Sequence, residues 1–217
     1  MRPLHEELAD ELLSLYKFMV ALQIPEEALK TPPPDGWPDE TIRAHFEPGE
    51  KDEAVIKLLR HIPYIASDIE GYQIWEGCEC NDFTETSTDC YDPLEETMDS
   101  CDWEPLKVER GKYLATLGKS AGRNGWYIFC DVRTSEVIHV DFQEGIVSVK
   151  ESPRVFAEKT KKSFRKLDAY PIRPTKVCLA AMTEKDETSQ IRKVFDKHGW
   201  PGESFQKSEC LEDLAEF

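Results

Sequence analysis

Residues 112–142 hold the stretch that most constrains what this chain can fold into. KYLATLG at 112–118 alternates apolar and polar positions, GWYIFCDV at 125–132 is rich in aromatic and branched residues, and EVIHVDF at 136–142 alternates again. Period-two alternation bounded by turn residues is the signature of half-buried strands. The connection 119–124 carries Gly122 and Asn124, which tolerate positive φ, and 133–135 is short enough only for a tight hairpin turn. The stretch therefore predicts three antiparallel strands in a meander. Trp126, Ile128, Cys130 and Val132 share one face, with Ile138, Val140 and Phe142 on one face of the next strand. The opposite face then carries Tyr127, Phe129 and Asp131 beside Val137, His139 and Asp141.

Helical spacing surrounds this core. Leu4, Leu8, Leu12, Leu15, Met19 and Leu22 make a long amphipathic helix, stopped by Pro25. Val55, Leu58, Leu59 and Ile62 make a second, ended by Pro63, and residues 71–75 read as a strand. Ser152 and Pro153 cap and open a third, running to about Leu167, with Phe156, Thr160, Phe164 and Leu167 as its packing stripe. Residues 176–182 suit a further strand. Ile191, Val194, Phe195 and His198 mark another helix, and Leu211, Leu214 and Phe217 a final short one. Gly-Trp-Pro occurs at 36–38 and again at 199–201, each time as helix-boundary punctuation with a tryptophan anchor. The expectation is a single α+β domain over residues 1–217, a central and largely antiparallel sheet with helices around it.

Charge is distributed unevenly. Between residues 61 and 106 there is no Lys or Arg, while thirteen Asp and Glu fall between 68 and 104. Residues 76–104 therefore read as an acidic insertion loop. The helix after the sheet is the reverse, with Lys159, Lys161, Lys162, Arg165 and Lys166 over much of its surface. The two imbalances suggest that the insertion folds back over that basic face. The formal charge of −16 argues against binding to nucleic acid or anionic membranes, whose phosphates would repel it. No apolar run reaches the roughly 18 residues of a membrane span. Lys17 and acidic residues interrupt the N-terminal apolar positions, which is not a signal-peptide pattern. A cytoplasmic protein with reduced thiols is the expectation, since seven scattered cysteines make a poor disulfide framework.

Two constellations carry chemistry. Cys78 and Cys80, with Cys90 and Cys101, form the one cluster resembling a zinc site, but the second pair is split too widely for the usual paired spacing. The expectation is no metal and no cofactor. His139 and Asp141 share a strand face near Asp131, an arrangement open to acid–base chemistry in a small acidic-cleft enzyme. No nucleophile elbow, phosphate loop or dinucleotide fingerprint accompanies them, so no catalytic residue is assigned.

The middle third of the chain resembles the SUKH superfamily, which includes fungal cell-wall-assembly regulators and bacterial toxin-immunity proteins. The resemblance rests on a Gly-containing turn, Gly125-Trp126-Tyr127-Ile128-Phe129-Cys130-Asp131, a turn, then Glu136-Val137-Ile138-His139-Val140-Asp141. The helix from Val155 to Phe164 follows, where the superfamily has Ala-Xaa-Ser-Phe. The ending His198-Gly199-Trp200-Pro201 is similar to an uncharacterised fungal branch of that group. The resemblance implies the SUKH fold and a non-catalytic regulator or scaffold that binds a protein partner. An acidic surface suits a basic partner. Tyr127, Asp131, His139, Asp141, Lys159, Lys162 and Lys166 are the candidate partner-binding residues.

Overall fold

The structure, a computed structural model, describes residues 2–66, 71–85, 111–122, 125–141 and 146–217. Helix α1 (Leu4–Leu22) turns Leu8, Leu12, Leu15, Tyr16, Met19 and Leu22 inward, the stripe its spacing predicts. Strand β1 (Leu29–Lys30) and the short helix α2 (Asp39–Arg43) lead to α3 (Glu53–His61). The Asp52 carboxylate caps α3 by accepting from the Ala54 amide at 3.0 Å. Strand β2 (Tyr64–Ile65) pairs with β1. The first Gly-Trp-Pro anchors the end of α3, where the Trp37 indole donates to the Ile62 carbonyl at 2.9 Å.

The central sheet has six antiparallel strands in sequence order: β3 (Gln73–Trp75), β4 (Cys78–Cys80), β5 (Leu114–Ser120), β6 (Trp126–Asp131), β7 (Glu136–Asp141) and β8 (Ile146–Glu151). The meander extends beyond the three expected strands at both ends. Gly125 is required by close approach, because a Cβ there would sit 1.9 Å from the Gly77 carbonyl of the β3–β4 turn.

Helix α4 (Pro153–Arg165) crosses one face of this sheet and packs chiefly against α1. Ser152 caps it, accepting from the Val155 amide, and Pro153 opens it as expected. Lys161 departs from its expected place on the surface. It is 5% exposed, and its ammonium donates to the Ser14 hydroxyl of α1 at 3.0 Å and pairs with Glu158. The hairpin β9 (Ala169–Arg173) and β10 (Lys176–Leu179) then docks on β3, with Gln73 as the bridge. The Gln73 amide donates to the Pro174 carbonyl, and its side-chain oxygen accepts from the Val177 amide. Helices α5 (Lys185–Lys197) and α6 (Lys207–Leu214) close the fold. The second Gly-Trp-Pro works like the first: the Trp200 indole donates to the Phe164 carbonyl at 3.1 Å, at the end of α4. The result is α+β, with an open six-stranded sheet and helices packed against it. Among the described residues no helix is long and apolar enough to cross a membrane.

Two expectations are corrected here. Cys78–Cys80 is strand β4, inside the sheet, with Glu79 opposite Lys119 and Cys80 opposite Gly118. The stretch 76–85 thus belongs to the fold, and the rest of the expected insertion, with Cys90 and Cys101, lies outside the described residues. The contact expected between the insertion and α4 falls there too. The second correction concerns faces. In the register of β6 and β7, Trp126 lies opposite Asp141, Ile128 opposite His139 and Asp131 opposite Glu136. Directly opposed residues share a face. His139 and Asp141 therefore stand with Trp126, Ile128 and Cys130, while Asp131 stands on the other face with Phe129, Ile138 and Val140. The turn spans 132–135, one residue longer than expected, and a one-residue slip exchanges every side chain between faces.

Candidate cleft between the sheet and helix α4

A cleft of about 190 Å³ opens where α4 crosses the sheet. Its walls are Trp75 from β3, His139 from β7, Glu151 from β8, and Phe156, Lys159, Thr160 and Ser163 from α4. The helical residues follow from spacing, since positions 156, 160 and 163 recur on one face of a 3.6-residue turn. His139 reaches the cleft because its register pairs it with Ile128 on the face that α4 covers. Its ring meets Phe156 edge-on at 5.0 Å and Trp126 at 6.4 Å. At the rim, the Lys159 ammonium pairs with the Glu151 carboxylate.

Burial lowers the His139 pKa to about 4, with the Glu151 charge opposing and the Lys159 charge reinforcing the shift. The imidazole is therefore neutral at ordinary pH, offering one donor and one acceptor nitrogen. A base so weak takes protons poorly near pH 7. With two hydroxyls and an ion pair beside it, the cleft can hold a polar group. Its volume lies below the roughly 300–1,000 Å³ of small-molecule sites, and is of the order of one protruding side chain.

The sign of the His139 shift gives a pH dependence. The folded state disfavours the charged ring, so stability is complete above the ordinary pKa of 6.5 and falls as pH drops from there through about 4. The full loss is about 3 kcal/mol. His139→Leu should remove that share of the acid sensitivity. Urea midpoints of both proteins at pH 7.5 and at about pH 4 test this, and equal losses on acidification would contradict it.

The other candidates sit elsewhere. Asp131 is 6% exposed and builds the β6–β7 turn: its carboxylate accepts from the Arg133 amide at 3.0 Å and from the Arg133 guanidinium at 3.0 and 3.2 Å. It does not join His139 and Asp141 in one acid–base group. Tyr127 is half-buried and stacked on Phe129 at 6.1 Å. Asp141 lies opposite Trp126, next to a carboxylate that sequence reasoning missed. This is Glu76, which accepts from the Trp126 indole at 3.1 Å. Burial pushes the Glu76 carboxyl up, the Trp126 bond works against this, and the Asp141 charge adds to it. Trp126 is half-buried rather than central to the core. Trp126→Ala should accordingly cost about 2 kcal/mol, less than the roughly 3–5 of a fully buried aromatic, as read from the denaturation midpoint. A cost of about 3 kcal/mol or more would place Trp126 in the core after all. Lys162 on α4 and Lys166 at its C-cap are exposed beside Lys159.

Two cysteines of the zinc alternative, Cys78 and Cys80, are core residues. Cys78 and Cys80 are fully buried, and Cys80 Sγ lies 3.4 Å from the Tyr16 hydroxyl and accepts from the Ile65 amide. Burial raises both thiols, Cys80 to about 12, the opposite of what a metal ligand needs. Their Cys-Xaa-Cys spacing is strand alternation. Among the described residues no three His, Cys, Asp or Glu form a metal-holding group.

The chain matches no protein-family model, no curated protein and no solved structure. Fold and cleft therefore carry the functional argument alone. Glu151, Thr160, Ser163 and Trp75 went unassigned in the sequence because only tertiary packing brings them together. The α4 periodicity was the one signal pointing to Thr160.

Proposed function

We propose that this protein is a non-catalytic, cytoplasmic protein-binding regulator or scaffold of the SUKH type, and that it engages its partner across α4 and the adjoining cleft. The observation that carries this is the juxtaposition on one helix of a side-chain-sized polar cleft and an exposed row of cations, Lys159, Lys162 and Lys166. The row runs against the net charge of −16. Charges beyond a Debye length of about 8 Å are screened at physiological ionic strength, so the local sign governs contact. An acidic segment on the partner, with one side chain entering beside His139, suits this face. That assignment replaces the basic partner that overall charge suggests. The meander followed by a crossing helix is also the order of elements on which the SUKH resemblance rests.

The test is affinity capture from native cytosol at low and high salt, with the wild-type chain and with a Lys159→Glu, Lys162→Glu, Lys166→Glu variant. These side chains are exposed, so the variant should melt close to the wild type. A captured protein that is lost both in the variant and at high salt supports the reading. Capture indifferent to both changes would contradict it.

A further inference from the structure

The two ends of the central sheet are treated differently. At one end, β3 is covered: Gln73 carries the β9–β10 hairpin onto it through its backbone amide and its side-chain oxygen. At the other, β8 is the last strand, and among the described residues no strand pairs with its outer side. The β8 sequence, IVSVKE, contains no Pro or Gly and has three β-branched residues. An edge of that kind presents a row of backbone donors and acceptors ready to pair, and proteins normally blunt such edges.

The guard present at β8 is charge that is mostly cationic. Residues 150–166 hold seven Lys or Arg against two Glu. Lys150 on the strand and Arg154 just beyond it are exposed, as are Lys159 and Lys162 on α4. Lys159 is held against the end of β8 through Glu151. Cations along an edge repel a cationic strand and admit an anionic one. We infer that β8 is a docking edge for an extended acidic segment of a partner protein, which adds a seventh strand to the sheet with carboxylates towards Lys150 on one face, where Lys150 lies opposite Ile138, and towards the α4 cations on the other. Backbone pairing supplies orientation, and the charges supply selectivity. This rests on the protein-binding reading above and adds to it how the partner binds.

The probe is a capped peptide repeating Val-Glu-Glu, which puts carboxylates on both faces of an added strand, matched in length to β8, with binding followed by fluorescence anisotropy on the full chain. Three controls accompany it: the same peptide with lysine for glutamate, the Val-Glu-Glu peptide N-methylated at every residue, and the Lys150→Glu variant. N-methylation keeps side chains and charge but removes every amide donor. The expected result is binding of the acidic peptide that falls at least about tenfold on N-methylation and in Lys150→Glu, none by the lysine peptide, and slowed amide exchange across residues 146–151. Equal binding of the N-methylated peptide would reduce the site to a charged patch and overturn the docking edge, as would absence of binding by the acidic peptide. A dimer formed without peptide and protected over 146–151 would give the edge to a second copy, also against the proposal. Should cytosolic capture succeed while β8 stays unprotected, the strand mode fails and the protein-binding reading stands.

Discussion

Replacing residues 76–104 with a flexible linker of equal length is expected to abolish the fold. Composition marks this stretch as a dispensable acidic excursion, yet its first part is structural. Cys78 and Cys80 are fully buried, as are Asn81, Asp82 and Phe83. Strand β4 joins β3 to β5, so its loss severs the sheet and uncovers Tyr16 and Ile65, which contact Cys80. The Asp82 carboxylate, with no exposed surface, pairs with Lys30 at 2.9 Å and accepts from the Thr84 amide. Removing the stretch takes away both carboxylates that pair with Lys30, Asp82 and Glu85, and leaves the half-buried ammonium without them. Circular dichroism and the denaturation transition measure the outcome. A cooperative transition of wild-type midpoint in the replaced chain would show that β4 is not part of the core.

The second large effect belongs to Phe164. It is fully buried at the end of α4, in aromatic contact with Trp75 at 5.8 Å and Phe18 at 6.4 Å. It is therefore the side chain that joins α4 to both the sheet and α1. Phe164→Ala should cost about 3–5 kcal/mol through lost burial and the cavity left behind. The neighbouring bond from the Trp200 indole goes to the Phe164 backbone carbonyl and survives the substitution. A loss under about 1 kcal/mol in a urea titration would mean that α4 is held by something other than this contact.

What was legible in the sequence follows from periodicity. The stripes of α1, α3 and α4 bury the residues their spacing selects, because a helix has one period and one inward direction. The meander was legible as strands but not in its facing. Leu114, Phe129, Ile138 and Val140 are at most 3% exposed on one side, and Ile128, Cys130 and Val137 are buried on the other. Alternation cannot choose an inner face when both faces are apolar, so the turn decides. That turn contains no glycine: Asp131 bonds forward to Arg133, and Ser135 takes φ of 58°. A Gly-free turn gives little warning of its length. Strand β4 was hidden for a different reason. With three residues, one of them Glu79, it is too short for alternation to outweigh an acidic neighbourhood. The cleft needed tertiary structure altogether, since Trp75 and Glu151 are brought to α4 from opposite ends of the sheet.

The most direct measurement on the central claim is amide hydrogen exchange of the full chain, alone and with the protein it captures from cytosol. The proposed partner-binding face is α4 with the cleft, so exchange should slow along Pro153–Arg165 and at the adjoining end of β8, while α5 and α6 are unchanged. Protection confined to α5 and α6, with α4 exchanging as in the free chain, would contradict the account.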